Sequence, residues 1–349
     1  MTSPKTFLYG AFPPPIHGLA NVNAALFEFL STKGLRIVKL DVARPTLVGG
    51  VFVRLWRTIQ SIFQILLARG YVNVVVALSS GSGLVLDLIF ISVCRMRGHR
   101  ICFYYHNFSL VDTRRLLVRS IVWLQTSSDC NVFLCNEMNN RFKTIYYSPA
   151  SALVVSNLCW MSLTPIEADD QSNQVTIGYL GALSVDKGYP EFVRLSNQMK
   201  GRMGFKFISA GPLQIEMSAD DLRNIEYFGV VVDKAKSDFL NNIDILIFSS
   251  NYRHEAQPLV VFEALAAGVH VLAFNIGCTG ELASWQSATL TNSYNLLLDL
   301  EKLVNRILPN VIGNSRIQVR RAVQNEFLEK FELAEQGKQR LLRWFKDSV

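Results

Sequence analysis

Apolar residues fall along this chain in short runs that end on glycine or small polar residues, with longer stretches of helical period between them. Thr6–Ala11, Leu35–Val42, Val72–Leu78, Arg100–Tyr105, Cys130–Cys135 and Ala152–Val155 read as the strands of a first sheet. Val72–Leu78 is almost continuously apolar, as a parallel strand covered on both faces requires. Residues 160–174 then turn polar and acidic, with a proline and no periodicity, and read as a linker. Beyond them Val175–Leu180, Phe205–Ala210, Ile225–Phe228 and Ile243–Phe248 repeat the pattern of strand followed by glycine or serine, and Val269–Phe274 reads as a further strand with Gly277, Gly280 and Glu281 in the loop after it. Strands alternating with helices on this scale predict a second parallel sheet. The expected organisation is one α/β domain over residues 1–159, the linker, a second over 175–313, and a helical tail over 314–349.

Three helical stretches change the picture. Pro13, Pro14, Pro15 and Gly18 lead from the first strand into a helix over Ala20–Lys33, and strand, glycine-containing loop, helix is an order that presents backbone to a phosphate. Over Val51–Arg69 the residues Arg54, Arg57, Ser61 and Gln64 form one polar stripe, with Phe52, Leu55, Trp56, Ile59, Phe63 and Leu66 on a broad apolar face. Such a helix either packs that face on the sheet or offers it to a membrane or an acceptor. Arg114–Leu124, with Arg114, Arg115 and Arg119 among large apolar residues, makes the same offer.

The third stretch is Asn251–Gly268, NYRHEAQPLVVFEALAAG. Pro258 is placed as a first helical residue and Gly268 as a stop, and between them Glu263 is the single charge on an otherwise apolar helix. A buried carboxylate must either pair with a cation inside the protein or face hydroxyl donors. Glu255, eight positions earlier, meets the same choice. The two carboxylates frame a gap of roughly 12 Å at the helical rise, and the free N–H groups of Leu259 and Val260 favour an anion between them. Sugar, diphosphate and ribose is the ligand this arrangement suggests.

The spacing of Glu255 and Glu263 resembles the E-x7-E segment of the retaining glycosyltransferases of family 4. The resemblance implies a GT-B fold, with two Rossmann-like doubly wound domains facing each other across a cleft. Further elements fall in order. FPPPIHG, ending at Gly18, is similar to the family's N-terminal Pro- and Gly-rich loop, with His17 in place of one glycine. His106, at the end of the strand Arg100–Tyr105, matches the histidine that faces the transferred sugar. Gly181 followed by Asp186, Lys187 and Gly188 resembles the glycine-loop-lysine element that clamps the diphosphate, although the family's arginine is Ala182 here. Gly211 and Gly229 fall where the family's turns approach the nucleotide base.

The resemblance therefore implies transfer of a monosaccharide from a nucleotide-diphosphate sugar to a glycan or lipid-linked acceptor. His106, Lys187 and Glu255 would carry the chemistry. Gly18, Gly181, Lys187, Gly211, Gly229, Glu255, Pro258, Leu259, Val260 and Glu263 would hold the donor. The family generally uses front-face attack with no protein nucleophile and no bound metal or other cofactor, and no Asp-x-Asp triplet is present. Two variants stay open: a nucleotide-sugar-binding subunit without activity, suggested by Ala182, Ala256 and Gln257, and a nucleotide-sugar epimerase. A nicotinamide oxidoreductase is disfavoured, because no G-x-G-x-x-G follows the first strand.

Charge adds a partner. The net +7 divides as 16 Lys and Arg against 6 Asp and Glu over residues 1–159, and 19 against 22 thereafter. The basic residues of the first half alternate with large apolar ones and form no nucleic-acid motif, so an anionic membrane surface, met by Arg54, Arg57, Arg114, Arg115 and Arg119, is the expected partner. The six cysteines show no paired metal-ligand spacing and read as reduced thiols, no run spans a bilayer, and MTSPKTFLYG leads into a strand rather than a signal peptide. A cytoplasmic protein, peripheral on the membrane, is expected.

Overall fold

The computed structural model describes residues 5–15, 17–44, 50–70, 72–167, 174–216, 222–311 and 316–347. Residues 168–173 of the expected linker and 314–315 of the expected tail lie outside the described residues. The chain divides into two compact units, Met1–Trp160 with Leu333–Val349, and Met161–Glu332.

In the first unit six parallel strands, β1 (Thr6–Gly10), β2 (Ile37–Asp41), β3 (Asn73–Leu78), β4 (Arg100–Tyr105), β5 (Cys130–Phe133) and β6 (Ser151–Val154), lie in the order β2-β1-β3-β4-β5-β6. Every residue of β1, β3 and β5 is buried, as the continuous apolar runs predict. The intervening helices are α1 (Gly18–Thr32), α2 (Gly50–Leu66), α3 (Gly83–Met96), α4 (Ser109–Asp112), α5 (Leu116–Trp123) and α6 (Asn136–Ile145). Chain passage from β2 to β3 to β4 to β5 advances in one direction along the sheet, so right-handed crossovers place α2, α3 and α5 on one face. Cys94, Cys102, Cys130 and Cys159 are free, buried thiols.

Helix α2 corrects the expectation that its apolar side packs on the sheet. The polar side faces inward through Arg54, Thr58 and Ser61, with Ile65 buried beside them, while Gln64 lies outside with Phe52, Leu55, Trp56, Phe63 and Leu66. The cause is a buried polar network. Arg54 donates to Asp87 of α3 at 2.8 Å and to Ser79 after β3 at 2.5 Å, and Thr58 meets the Tyr9 hydroxyl of β1 at 3.1 Å. Arg57 pairs with Asp41 at the end of β2 (3.1 Å) and donates to the Ala43 carbonyl (2.9 Å). Arg54 and Arg57 are therefore internal staples, and Arg54 in particular is not a membrane-facing residue.

The second unit carries β7 (Val175–Leu180), β8 (Phe205–Ala210), β9 (Ile225–Tyr227), β10 (Ile245–Phe248), β11 (His270–Phe274) and β12 (Ala288–Thr291) in the order β12-β11-β10-β7-β8-β9. Counted from β7 this is the 3-2-1-4-5-6 order of a dinucleotide-binding sheet, whose switch point lies between its first and fourth strands, β7 and β10. Its helices are α7 (Tyr189–Gln198), α8 (Asp233–Asn241), α9 (Leu259–Ala266) and α10 (Leu296–Val311). Leu183, Tyr189, Phe192, Ile245, Leu272 and Leu300 are among the residues of its core. A last helix, α11 (Arg316–Lys346), begins in this unit, where Arg320 bridges the carbonyls of Ala267 (3.1 Å), Asn241 (2.9 Å) and Ile243. Its final turns belong to the first unit, where Lys338 donates to the Cys159 carbonyl (3.1 Å) and Arg100 stacks over Trp344 (3.8 Å).

Candidate active site

Two loops leave the carboxyl ends of β7 and β10, the strands that flank the switch point. The first, Gly181 to Gly188, leads into α7, and the second, Ser249 to Pro258, leads into α9. They are stitched together by backbone. The Asn251 N–H donates to the Asp186 carbonyl at 2.9 Å, and the Ser249 hydroxyl to the Gly188 carbonyl at 2.7 Å. Gly188 has φ +76°, and a Cβ there would collide with the Ser249 carbonyl, so only glycine allows the approach. From the other side the Cys278 N–H donates to the Ala256 carbonyl at 2.7 Å and holds the second loop in place.

This stitching sets Lys187 against Glu255. Lys187 Nζ donates to Glu255 Oε2 at 2.6 Å, the Ser250 hydroxyl approaches the same oxygen at 3.4 Å, and the ammonium lies 4.5 Å from the centroid of the Tyr252 ring. Below them the Tyr179 hydroxyl reaches the carbonyls of Lys187 (2.8 Å) and Ala182 (3.1 Å), which fixes the first loop. The result is a half-buried cation beside a mostly buried carboxylate at the ligand-binding edge of the sheet.

Helix α9 starts one residue later than the sequence suggests. Pro258 is the N-cap, in extended conformation, and Leu259 is the first helical residue. Proline has no capping side chain, so nothing from that position satisfies the first-turn N–H groups, Leu259 and Val260 included. The helix buries Val261, Phe262, Ala264, Leu265 and Ala266, and leaves Leu259, Val260 and Glu263 partly open along one stripe. Glu263 answers the choice its sequence position posed: Oε1 pairs with Lys236 of α8 at 2.5 Å. Gly268 stops the helix with φ +78°.

Gly211 and Gly229 close the same edge. Gly181 N–H donates to the Ala210 carbonyl (3.0 Å), and Gly211 N–H to the Gly229 carbonyl (2.8 Å). Gly211 has φ +136°, and a Cβ there would strike the Gly181 carbonyl. The structure thus brings Gly181, Lys187, Gly211, Gly229, Glu255, Pro258, Leu259, Val260 and Glu263 to one edge of one sheet. Lys236, Ser250 and Tyr252 join them. None of the three is marked in the sequence, because a lysine in DKAKSDFLN or a tyrosine in a polar loop looks like any surface residue.

Gly18 and His106 belong to the first unit. Gly18 opens α1, whose N-cap is His17, with Nδ1 accepting from the Ala20 N–H at 3.2 Å. His106 stacks on Tyr104 with 4.0 Å between ring centroids, and its Nε2 is buried with no hydrogen-bond partner among the described residues. Burial pushes its pKa down to about 3, so the ring is neutral at physiological pH. Arg114 and Arg119 are exposed, while Arg115 is partly buried beside Tyr146, whose hydroxyl accepts from its backbone N–H at 2.8 Å.

Residues 174–308, which include β7 to β12, match the family model described as Glycosyl transferases group 1. An uncharacterized 42.6 kDa protein in the cps region of Klebsiella pneumoniae is 29% identical over 155 residues, spanning 42% of this chain and 38% of that protein. Across nearly the whole chain the fold is similar to sucrose-phosphate synthase from Thermosynechococcus elongatus, with TM-score 0.72, 13% identity, and 99% and 100% of the two chains covered. The Anabaena HepE protein solved in complex with UDP gives TM-score 0.66 at 13% identity, again with 99% and 100% covered. The fold is GT-B, two α/β units each built on a parallel six-stranded sheet.

Proposed function

We infer that the protein is a retaining glycosyltransferase that moves a monosaccharide from a nucleoside-diphosphate sugar to a glycan or lipid-linked acceptor of polysaccharide assembly. The observation that carries this reading is the Lys187–Glu255 pair at the switch point, beside the uncapped amino end of α9 with Glu263 along the same stripe. A departing diphosphate needs positive charge where its own charge develops. Lys187 supplies one cation, and the N–H groups of Leu259 and Val260 supply the dipole end of a helix. Glu255, released from Lys187 as the diphosphate takes the ammonium, accepts hydroxyls of the transferred sugar. Glu263 uses Oε2 for a ribose hydroxyl while Oε1 stays on Lys236. His106, neutral, is assigned to the sugar near its reacting carbon. Attack is from the front face, with no protein nucleophile, and no metal is required. The UDP bound to the similar Anabaena protein makes uridine the first nucleotide to try, and the cps-region relative supports a polysaccharide-precursor acceptor.

Calorimetry with UDP tests the site. Glu263→Gln should weaken binding by about 1.5–3 kcal/mol, the range for a hydrogen bond to a charged group, and unchanged affinity would refute the assignment. The departures at Ala182, Ala256 and Gln257 favour one other reading, a donor-binding subunit without turnover. Single-turnover transfer of labelled sugar separates the two, and release of an epimerised nucleotide sugar without acceptor would point to the epimerase instead.

A further inference from the structure

An amphipathic helix of a globular protein ordinarily turns its apolar side inward. In α2 the geometry is reversed, and Phe52 (77% exposed), Trp56 (60%), Phe63 and Leu67 recur along the outward stripe at helical spacing. The stripe does not stand alone. Arg54 ties α2 to Asp87 of α3, and Arg95 of α3 reaches the Leu124 carbonyl at the end of α5 at 2.8 Å, so the three helices lie side by side on one face of the sheet. Across that face α3 adds exposed Val85, Ile89 and Met96, and α5 adds Leu116 and Trp123 (84%). Scattered single apolar residues need no explanation, but three adjacent helices presenting them together form a patch that does.

Charge identifies the occupant. Between Asp41 and Asp129 the chain holds ten arginines and two acidic residues, Asp87 and Asp112. Asp87 is buried against Arg54, and Asp112 pairs with Arg141. Around the patch Arg69, Arg97, Arg114 and Arg119 are exposed and carry no carboxylate partner among the described residues. An apolar, aromatic-bearing surface rimmed by guanidinium groups without carboxylate partners among the described residues, with no free carboxylate from α2, α3 or α5, matches an anionic lipid interface: rings at headgroup depth, cations on the phosphates. A second copy of the same face would set arginine against arginine. We propose that the outward face of α2, α3 and α5 is a membrane-docking surface for anionic lipid, in which the apolar side of α2 lies in the interface while its polar side fastens it to the protein. The attachment proposed is peripheral, and among the described residues no helix is long and apolar enough to cross a membrane. The buried Arg54 and the engaged Arg57 drop out of the contact; Trp56, Trp123, Arg114 and Arg119 carry it.

The unaltered protein reports on this directly, because Trp56 and Trp123 are the exposed tryptophans among the described residues. Mixed with vesicles of phosphatidylcholine and phosphatidylglycerol at low salt, it should co-sediment, and lipids brominated near the headgroup should quench its tryptophan emission. Raising the salt to 0.5 M should weaken the binding by about tenfold or more, and phosphatidylcholine vesicles should bind far less. Trp56→Ser with Phe63→Ser and Trp123→Ser should abolish quenching and sedimentation while UDP affinity, measured without lipid, stays unchanged; Arg114→Gln with Arg119→Gln should flatten the salt dependence. Absence of quenching and sedimentation would overturn the proposal, as would a dimer in light scattering that the three serine substitutions dissociate. Because donor binding is measured apart from lipid, its failure and the failure of docking are separate results.

Discussion

At the scale of single residues, the edge of the second sheet proposed to hold the donor carries one lysine, Lys187, paired with one glutamate, Glu255. Ala182, whose carbonyl receives the Tyr179 hydroxyl, stands where the glycosyltransferases this segment resembles carry an arginine that would add a second cation. If the diphosphate is clamped from one side only, Ala182→Arg should tighten UDP binding by about 1 kcal/mol or more, the low end for a charge-assisted contact open to water. Weaker binding in calorimetry would mean that the loop has no room for the longer side chain. His106 gives a prediction in pH. Burial holds its folded pKa at about 3, against an ordinary 6.5. Between those values the unfolded chain binds a proton that the folded protein does not, so stability is intact above pH 6.5 and declines as pH falls toward 3. The slope from this group is at most about 1.4 kcal/mol per pH unit. The same shift keeps the ring neutral during turnover. A kcat/KM profile should therefore show no acid limb from this histidine between pH 6 and 8; a limb near 6.5 that His106→Asn removes would refute it.

At the scale of elements, α2 overturns the usual ranking of mutations. On most helices the exposed arginine is expendable and the tryptophan is not. Here Asp87→Ala would strand the Arg54 guanidinium in the interior and should cost about 3–5 kcal/mol, as removal of one partner of a buried pair does. Trp56→Ser, on the open side, should stay within about 0.5 kcal/mol. Denaturant unfolding compares the two, and equal losses would mean that Trp56 is packed. The same helix marks where the sequence stops being informative. Periodicity divides Val51–Arg69 into a polar and an apolar side, yet it cannot say which side faces in; that depended on Asp87, Ser79 and Asp41 arriving from three other elements. Strands were easier, because a parallel strand buried on both faces has no polar side to misplace, and β4 and β7 run as Arg100–Tyr105 and Val175–Leu180 suggested. Short ATLT, which forms β12, carries no such run and is not marked by the hydrophobic pattern. At the candidate site, Glu255 and Glu263 stood out as charges at the ends of an apolar helix. Lys236, the partner of Glu263, could be found only from the packing of α8 against α9.

At the scale of the molecule, the residues proposed for the chemistry fall unequally on the two units. Apart from Gly18, every residue proposed to hold the nucleotide lies within Met161–Glu332, and those residues are fixed by hydrogen bonds that begin and end inside that unit. His106 and the helices proposed to dock on lipid lie within the first unit. Nucleotide affinity and turnover should then respond to different substitutions. Glu263→Gln should weaken bare UDP. Glu255→Gln should leave UDP affinity nearly unchanged and lower turnover, because the free nucleotide lacks the sugar that Glu255 is proposed to hold. His106→Ala should keep the UDP dissociation constant within about twofold, a difference of under 0.5 kcal/mol, and lower kcat with the nucleotide sugar. Calorimetry with UDP and turnover with the sugar donor, run side by side on the three variants, read the division. Loss of UDP affinity in His106→Ala equal to that in Glu263→Gln would show that the nucleotide is held by residues of both units. Full turnover in Glu255→Gln would remove that carboxylate from the sugar and leave its pairing with Lys187 as a purely structural bond.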